Sequence, residues 1–227
     1  MKVLNYGSLN VDYVYSVDHI IVGGETQHSS KMEIFSGGKG LNQSIALAKA
    51  GVPVYHAGIV GNDGDILLDA CKEAGVNTKY IRRLPVKGGH TMIQVDKNAQ
   101  NCIILYGGTN QMQTREFVDE VLADFGEGDY LILQNEINML DYIIDQAYEK
   151  KMKIVMNPSP FDDKLNSCDL GKVYLFLVNE IEGEQITGCK DKDQILDALA
   201  EKYPNARFVL TLGSDGAVYY LSLIHIS

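Results

Sequence analysis

Ser36-Gly37-Gly38-Lys39-Gly40-Leu41-Asn42-Gln43 places three glycines directly before the helical pattern at 45–50. Because glycine has no Cβ, a ligand can approach this backbone closely. A helix N-terminus adds N–H groups and a dipole that favour an oxygen-rich or anionic ligand. Lys39 supplies a mobile cation, and Asn42 supplies both a donor and an acceptor. The stretch predicts a site for a polar small molecule, with an ordinary glycine-rich turn between a strand and a helix as the alternative.

The spacing of these glycines excludes two common phosphate-binding loops. Aligned on Gly38-Lys39, a Walker A loop needs glycine at the position of Glu33 and Ser or Thr at the position of Gly40. The dinucleotide fingerprint needs a third glycine at the position of Gln43. We therefore expect neither a P-loop nor a Rossmann dinucleotide site here.

Length, composition and charge indicate a globular protein with small-molecule partners. The chain has 227 residues, which is enough for one large α/β domain, and its 45% apolar and 22% charged residues are ordinary for such a domain. A net charge of -10 argues against nucleic acid or an anionic membrane as the main partner. It does not exclude an anionic substrate, because a local basic or amide-lined pocket can override the global field.

Cysteine spacing and the short apolar runs predict a cytoplasmic, reduced protein without a membrane partner. The four cysteines contain no CxxC pair, which disfavours a zinc site or a disulfide framework. No signal-peptide pattern opens the chain, and an apolar run such as 173–178 is far too short to span a bilayer.

Alternating patterns predict an α/β fold with a doubly wound, mainly parallel sheet flanked by helices. The segments 91–96 and 102–106 flank a polar turn and predict a β-hairpin. Predicted strands lie at 3–9, 54–60, 91–96, 102–106, 130–133, 153–157, 173–178, 208–212 and 217–221, and predicted helices at 41–50, 65–75, 114–125, 139–150, 180–187 and 191–202.

Polar residues follow several of these strands, where ligands gather in such sheets. Asn10 and Asp12 are two apart, so both side chains leave a strand on the same side and together could bind neighbouring sugar hydroxyls. An Asx turn is the alternative. Glu136 follows the strand at 130–133 and would face the same crevice, unless it is a solvated charge in the first turn of a helix.

Two further strand ends suit a nucleotide and its metal ion. Asn179-Glu180-Ile181-Glu182 follows the most apolar strand, and its oxygen ligands suit hydrated magnesium. Acidic residues that stabilise a helix N-terminus are the alternative. The stretch 211–216 could hold a nucleotide phosphate through Thr211 and backbone amides, or form a plain hairpin turn.

Taken together, these loops resemble the ribokinase-like (PfkB-type) carbohydrate kinase family. The resemblance covers nearly the whole chain, in the family's order, and is strongest at 37–43. The motifs that carry it lie at 7–12, 24–26, 37–43, 107–110, 134–136, 157–160, 179–182 and 211–216.

The resemblance implies one kinase domain over 1–227, with a small β-sheet lid formed by segments about 13–36 and 91–106. It implies transfer of the γ-phosphate of ATP to a sugar hydroxyl, with Mg²⁺ and, in a full-length protein, a monovalent cation. Because such lids often mediate dimerisation, a homodimer through the lid is also expected. The implied sugar-binding residues are Asn10, Asp12, Gly38, Lys39, Asn42 and Glu136; Glu182 would position magnesium; and Asn179, Thr211, Gly213 and Gly216 would line the ATP site.

Ribose is the first acceptor expected, since the order of the loops is most similar to that in the family's ribose kinases. A nucleoside, fructose or a keto-deoxy sugar acid is the alternative acceptor, and a non-catalytic sugar-binding protein is the alternative class. The family's catalytic Asp-Thr-x-Gly-Ala-Gly-Asp motif, which supplies the general base, is absent from these 227 residues. We therefore expect the chain as given to be an incomplete kinase domain, catalytically inactive by itself and marginally stable.

Overall fold

The computed structural model describes residues 1–221 and contains two compact units. Residues 1–6 and 114–221 form the first unit, and Gly7–Gln113 form the second. The strands are β1 Val3–Tyr6, β2 Asn10–Ser16, β3 Lys31–Gly37, β4 Val54–Val60, β5 Asn77–Arg83, β6 Gly89–Val95, β7 Asn101–Tyr106, β8 Tyr130–Gln134, β9 Lys153–Asn157, β10 Leu175–Asn179, β11 Arg207–Thr211 and β12 Ala217–Leu221. The α-helices are α1 Lys39–Lys49, α2 Asp65–Ala74, α3 Arg115–Leu122, α4 Leu140–Glu149, α5 Glu180–Thr187 and α6 Lys192–Lys202.

The first unit is built on parallel strands in the order β11-β10-β9-β8-β1, with β12 added antiparallel at the edge of β11. Helices α4, α5 and α6 pack on β9, β10 and β11. Strands covered in this way need nearly continuous apolar sequence, which explains runs such as 130–133. The predicted α/β fold with a mainly parallel sheet is confirmed. Its core includes Leu4, Leu131, Leu133, Ile154, Phe176 and Phe208.

The second unit combines a parallel strand pair with a small separate sheet. Strands β4 and β5 are parallel, and α1 packs on β4 and α2 on β5. The small sheet has the order β3-β2-β6-β7, in which β2 is antiparallel to β3 and parallel to β6. The predicted second sheet is confirmed, while its role as a lid over 13–36 and 91–106 stays a prediction.

Four strand assignments differ from those predicted: β2 and β3 match no strand predicted from the pattern, and the other two differences concern β1 and β5. The single strand predicted over 3–9 is divided: β1 ends at Tyr6 and β2 begins at Asn10, although residues 7–9 are as buried as β1. Strand β5 was not predicted, since its sequence Asn-Thr-Lys-Tyr-Ile-Arg-Arg is largely polar. An edge strand tolerates such a sequence because part of it faces water.

Helix boundaries follow the predicted capping chemistry. The Thr114 hydroxyl accepts a hydrogen bond from Phe117 N at 3.3 Å, as expected for an N-cap. Helix α2 ends at Gly75, whose φ of 79° is the left-handed value that glycine adopts without strain. Among residues 1–221, every helix is too short or too polar to cross a membrane.

Candidate functional site

The glycine-rich stretch turns into α1 directly against Ser8. Gly38 has a φ of 98°, which favours glycine, and a Cβ added at Gly40 would lie 2.5 Å from Ser8 N. Ser8 accepts two hydrogen bonds from the start of α1: Gly40 N to Ser8 Oγ at 3.2 Å and Leu41 N to Ser8 O at 3.0 Å. Two N–H groups at this helix N-terminus therefore bind Ser8, one through its hydroxyl and one through its carbonyl oxygen.

A buried histidine ties the same helix to the backbone at Gly7. His56 Nδ1 lies 2.7 Å from Ser44 Oγ, and His56 Nε2 lies 3.3 Å from Gly7 O. Because a carbonyl oxygen only accepts, Nε2 carries the proton and Nδ1 accepts from the Ser44 hydroxyl. Burial lowers the pKa of His56 to about 4, and the hydrogen bond to Gly7 opposes this only in part. The ring is neutral near pH 7 and joins Ser44 on α1 to the carbonyl oxygen of Gly7.

Asn10 and Asp12 lie on β2 with their side chains on one face of the small sheet. Asn110 Nδ2 donates to Asn10 Oδ1 at 2.7 Å, while Asn110 Oδ1 accepts from Leu9 N at 3.0 Å. Thr91 Oγ1 donates to Asp12 Oδ1 at 2.6 Å. Asn10 Nδ2 makes no hydrogen bond within residues 1–221 and remains a donor for a ligand.

Glycines bring the other predicted sugar residues close to this pair. A Cβ at Gly37 would overlap the Asp12 carboxylate, and a Cβ at Gly38 would lie 3.1 Å from Asn10 N. Lys39, half-buried, and Asn42, exposed, follow on the first turn of α1. The structure thus brings Asn10, Asp12 and Gly38 together, and Lys39 and Asn42 follow Gly38 on the first turn of α1.

Asp63 fixes the point at which β6 begins. Its Oδ1 accepts from Gly88 N at 2.9 Å, and its Oδ2 lies 2.6 Å from Lys87 Nζ. Lys87 Nζ also donates to Tyr13 OH at 3.0 Å. Partial burial raises the pKa of Asp63, but the hydrogen bonds from Lys87 and Gly88 outweigh it and hold this pKa below its usual value. The carboxylate therefore stays charged and holds the chain beside Asn10, which lies opposite Gly89 in the register of β2 and β6.

Glu136, the sixth predicted sugar residue, lies in the first unit just beyond β8. It is half-buried in a loop that Asn135 holds through Nδ2, which donates to Pro160 O at 2.5 Å and to Asp162 Oδ1 at 2.9 Å. Asn135 Oδ1 is buried and makes no hydrogen bond within residues 1–221. The loop is polar and anchored, and sugar binding by Glu136 stays a prediction.

Asn179 and Glu182 form a capping box at the start of α5. Glu182 N donates to Asn179 Oδ1 at 2.8 Å, and Asn179 N donates to Glu182 Oε2 at 3.1 Å. One oxygen of the buried Glu182 carboxylate is therefore used by the backbone. This is the helix-terminus chemistry that the sequence left open as the alternative to a magnesium site.

The predicted nucleotide residues lie together at the carboxyl ends of β10 and β11. Asn179 and Thr211 are direct partners in the register of these strands, and Thr211 Oγ1 donates to Val178 O at 3.4 Å. Gly213 and Gly216 have φ values of 57° and 93°, and a Cβ added at either would meet nothing within 4 Å. These glycines therefore serve an open turn whose backbone a ligand can approach.

The described residues fit magnesium only through water. Within residues 1–221, no group of three or more His, Cys, Asp or Glu side chains is placed to hold a metal ion. A single carboxylate that is already part of a capping box suits a hydrated ion, since Mg²⁺ commonly keeps several waters. Glu182 as a magnesium-positioning residue stays a prediction.

Sequence reasoning missed the residues that hold the predicted ones in place. Asn110 lies in the motif at 107–110, but its function as the partner of Asn10 depends on a contact across 100 residues. Thr91 carries no sequence signal beyond its polarity, and Ser8 lies in the motif at 7–12 without a role having been predicted for it. Contacts between residues distant in sequence depend on which strands lie side by side, and no single segment of the sequence shows this.

Comparison with known proteins gives consistent matches over the same residues. Residues 1–223 match the model of the pfkB family carbohydrate kinase. Ribokinase of Haemophilus influenzae is 31% identical over 196 residues, covering 83% of this chain and 63% of that protein. Deoxyribokinase of Salmonella typhi is 28% identical, covering 96% of this chain and 74% of that protein.

A solved structure supports the same assignment. The crystal structure of ribokinase from Cryptococcus neoformans var. grubii in complex with ADP has a TM-score of 0.82 and 26% identity, covering 98% of this chain and 76% of that chain. The chain thus spans about two thirds to three quarters of the length of these relatives. Because the family model matches from β1 through β12, the chain belongs to the pfkB family of carbohydrate kinases.

Proposed function

We propose that this chain belongs to an ATP-dependent kinase that transfers the γ-phosphate to a hydroxyl of ribose or a similar sugar, and that it holds residues for both substrates. The observation that carries the proposal is the pair Asn10 and Asp12, held side by side by Asn110 and Thr91. Asn110 donates to Asn10 Oδ1 and Thr91 donates to Asp12 Oδ1, so Asn10 Nδ2 is left as a donor. Such a fixed donor and acceptor suit adjacent hydroxyls of a neutral sugar.

The roles of the other residues follow from their charge and position. Asp12 would accept a hydrogen bond from a sugar hydroxyl, and a charged acceptor makes this bond stronger than a neutral one. Lys39 and Asn42 would bind further hydroxyls from the first turn of α1, and Glu136 would add a second carboxylate. Gly38 would admit the sugar close to the backbone.

ATP would bind at the carboxyl ends of β10 and β11, through Asn179, Thr211, Gly213 and Gly216. When bound, Mg²⁺ neutralises charge on the transferred phosphate, and Glu182 would orient its waters. We also propose a cytoplasmic location and a homodimer formed through the small sheet. The location and the homodimer rest on the family alone. The ATP site rests on the family and on the position of its residues at strand ends.

We further propose that the 227 residues bind sugar without transferring phosphate. The sequence contains no Gly-Ala-Gly-Asp motif and hence none of the family's general base. Phosphoryl transfer depends on positioning and charge stabilisation at that segment. Substrate-dependent release of ADP by the purified chain would contradict this proposal.

Deoxyribose is the second candidate acceptor. It is supported by the similarity to the deoxyribokinase of Salmonella typhi. The two sugars differ by one hydroxyl, and a site that binds a hydroxyl through buried polar groups rejects an analogue that lacks it. Relative affinity for the two sugars therefore separates the candidates.

Isothermal titration of the chain with ribose and with 2-deoxyribose tests the proposal. We expect Asp12→Asn to weaken ribose binding roughly tenfold to a hundredfold, because a hydrogen bond to a charged group contributes about 1.5–3 kcal/mol. Asp69→Asn, an exposed change on α2, should leave the affinity unaltered. Equal affinity in wild type and Asp12→Asn, or no sugar binding at all, would refute the proposed site.

A further inference from the structure

A second cleft lies at the opposite edge of the first unit's sheet, near the amino ends of β9 and β10. Its volume is about 460 Å³. The predicted nucleotide residues lie at the carboxyl ends of β10 and β11, so this cleft is separate from them. Its lining includes Tyr148, Lys151, Lys153, Lys172, Tyr174 and Asn205.

Aromatic and cationic side chains alternate across this amino edge. Tyr130, Lys153 and Arg207 begin β8, β9 and β11, and Tyr174 immediately precedes β10. Lys153 Nζ lies 5.2 Å from the Tyr130 ring centroid and 5.3 Å from that of Tyr174. Arg207 Cζ lies 4.5 Å from the Tyr174 centroid. Cation–π contacts orient both cations: Lys153 lines the cleft, and Arg207 lies outside the lining but against the ring of the lining residue Tyr174.

The charges around the cleft do not balance. Lys151 pairs with Glu127 at 3.6 Å, and Lys172 pairs with Asp145 at 2.6 Å and with Asp169 at 3.6 Å.

Lys153 and Arg207 differ from these two lysines. Within residues 1–221 neither has a carboxylate within 4.0 Å, and the polar contact of Lys153 is a hydrogen bond to Tyr130 OH at 3.5 Å. Two uncompensated positive charges beside one cleft are notable in a chain of net charge -10.

We propose that this cleft binds a phosphate-bearing small molecule, with Lys153 and Arg207 as the residues that contact its phosphoryl groups. The guanidinium fork of Arg207 matches phosphate oxygens bidentately, and Lys153 adds a compact point charge. Tyr148, half exposed at the cleft, provides an apolar face for the rest of the ligand. The site is independent of the proposed sugar site, because it uses none of the same residues.

A fluorescence titration tests this site directly. The sequence contains no tryptophan, so Tyr148→Trp places a single reporter in the cleft. Titration of this variant with inorganic pyrophosphate, at low ionic strength and without divalent metal, should give a saturable change with a Kd below about 1 mM. In the same background, Lys153→Gln/Arg207→Gln should weaken binding about tenfold or more, because both uncompensated charges are gone.

A control double variant and a conservative variant of Lys153 distinguish loss of this site from a general effect of lower positive charge. Lys49→Gln/Lys72→Gln removes two exposed charges from the second unit and should leave the Kd unchanged. If the double variant fails to fold by circular dichroism, Lys153→Gln alone should weaken binding several-fold and Lys153→Arg should restore it. No saturable change in Tyr148→Trp, or equal affinity in the charge-removal variants, would overturn the proposal.

Discussion

At the residue scale, His56 links the titration of one side chain to the stability of the fold. Its pKa is lowered from 6.5 to about 4 by burial. Between these values the unfolded chain binds a proton that the folded chain does not, so stability falls as pH falls from about 6.5 to 4. Above pH 6.5 this contribution is fully present, and its size is at most about 3 kcal/mol.

Urea denaturation near pH 7 and near pH 4.5 measures this effect. We expect His56→Gln to lose less stability between the two pH values than wild type, since glutamine does not titrate. His28→Gln removes an exposed histidine and should retain the wild-type pH dependence. Parallel losses in wild type and His56→Gln would show that carboxylates alone cause the acid sensitivity.

The residue scale also shows what local sequence can and cannot predict about the site. Asn10 and Asp12 were predicted from their types and spacing, and Gly38 from the family resemblance; the three lie together. Asn110 and Thr91 were not assigned a role, because a partner 79 or 100 residues away becomes visible only when the strands are paired. Side-chain chemistry is local, whereas the contacts that orient it are not.

At the element scale, the N-terminus of α1 depends on a close backbone contact. A Cβ at Gly40 would lie 2.5 Å from Ser8 N and 2.7 Å from Gly7 C, both of which are backbone atoms with little freedom to move. We expect Gly40→Ala to lower the free energy of unfolding by about 1–3 kcal/mol, as overpacking does elsewhere. It should also weaken sugar binding, because α1 carries Lys39 and Asn42.

Gly126→Ala is the matched control for this change. Gly126 also lacks a positive φ, and a Cβ there would meet nothing within 4 Å, so its effect should stay within about 0.5 kcal/mol. Chemical denaturation of both variants, followed by sugar titration, makes the comparison. A similar small effect for the two alanines would mean that the contact between α1 and Ser8 relaxes easily.

Secondary structure was predictable where burial and periodicity agree. Helices α4 and α6 and strands β8 and β9 lie close to their predicted limits, because each has an apolar pattern of the right period. Strand β5 was missed since its alternation of polar and apolar residues is weak. The break after β1 was missed because residues 3–9 form one continuous buried stretch.

At the scale of the whole molecule, the predicted ligands divide between the two compact units. The sugar residues other than Glu136 lie within Gly7–Gln113, and the nucleotide residues lie in the unit that contains Thr114 and the residues after it. A ligand stabilises the parts of the fold that it contacts, by about 2.7 kcal/mol when its concentration is a hundred times Kd. Hydrogen exchange therefore should report each site separately.

We expect ribose to slow amide exchange at 7–12, 36–42, 88–91 and 107–111, and ADP to slow exchange at 177–183 and 211–217. With ligand bound, opening an amide in these segments costs the free energy of binding in addition to the free energy of local opening. Sucrose at equal concentration controls for general solvent effects. Protection by ribose confined to 177–183 and 211–217 would place the sugar at the proposed ATP site. That result would contradict the role proposed for Asn10 and Asp12.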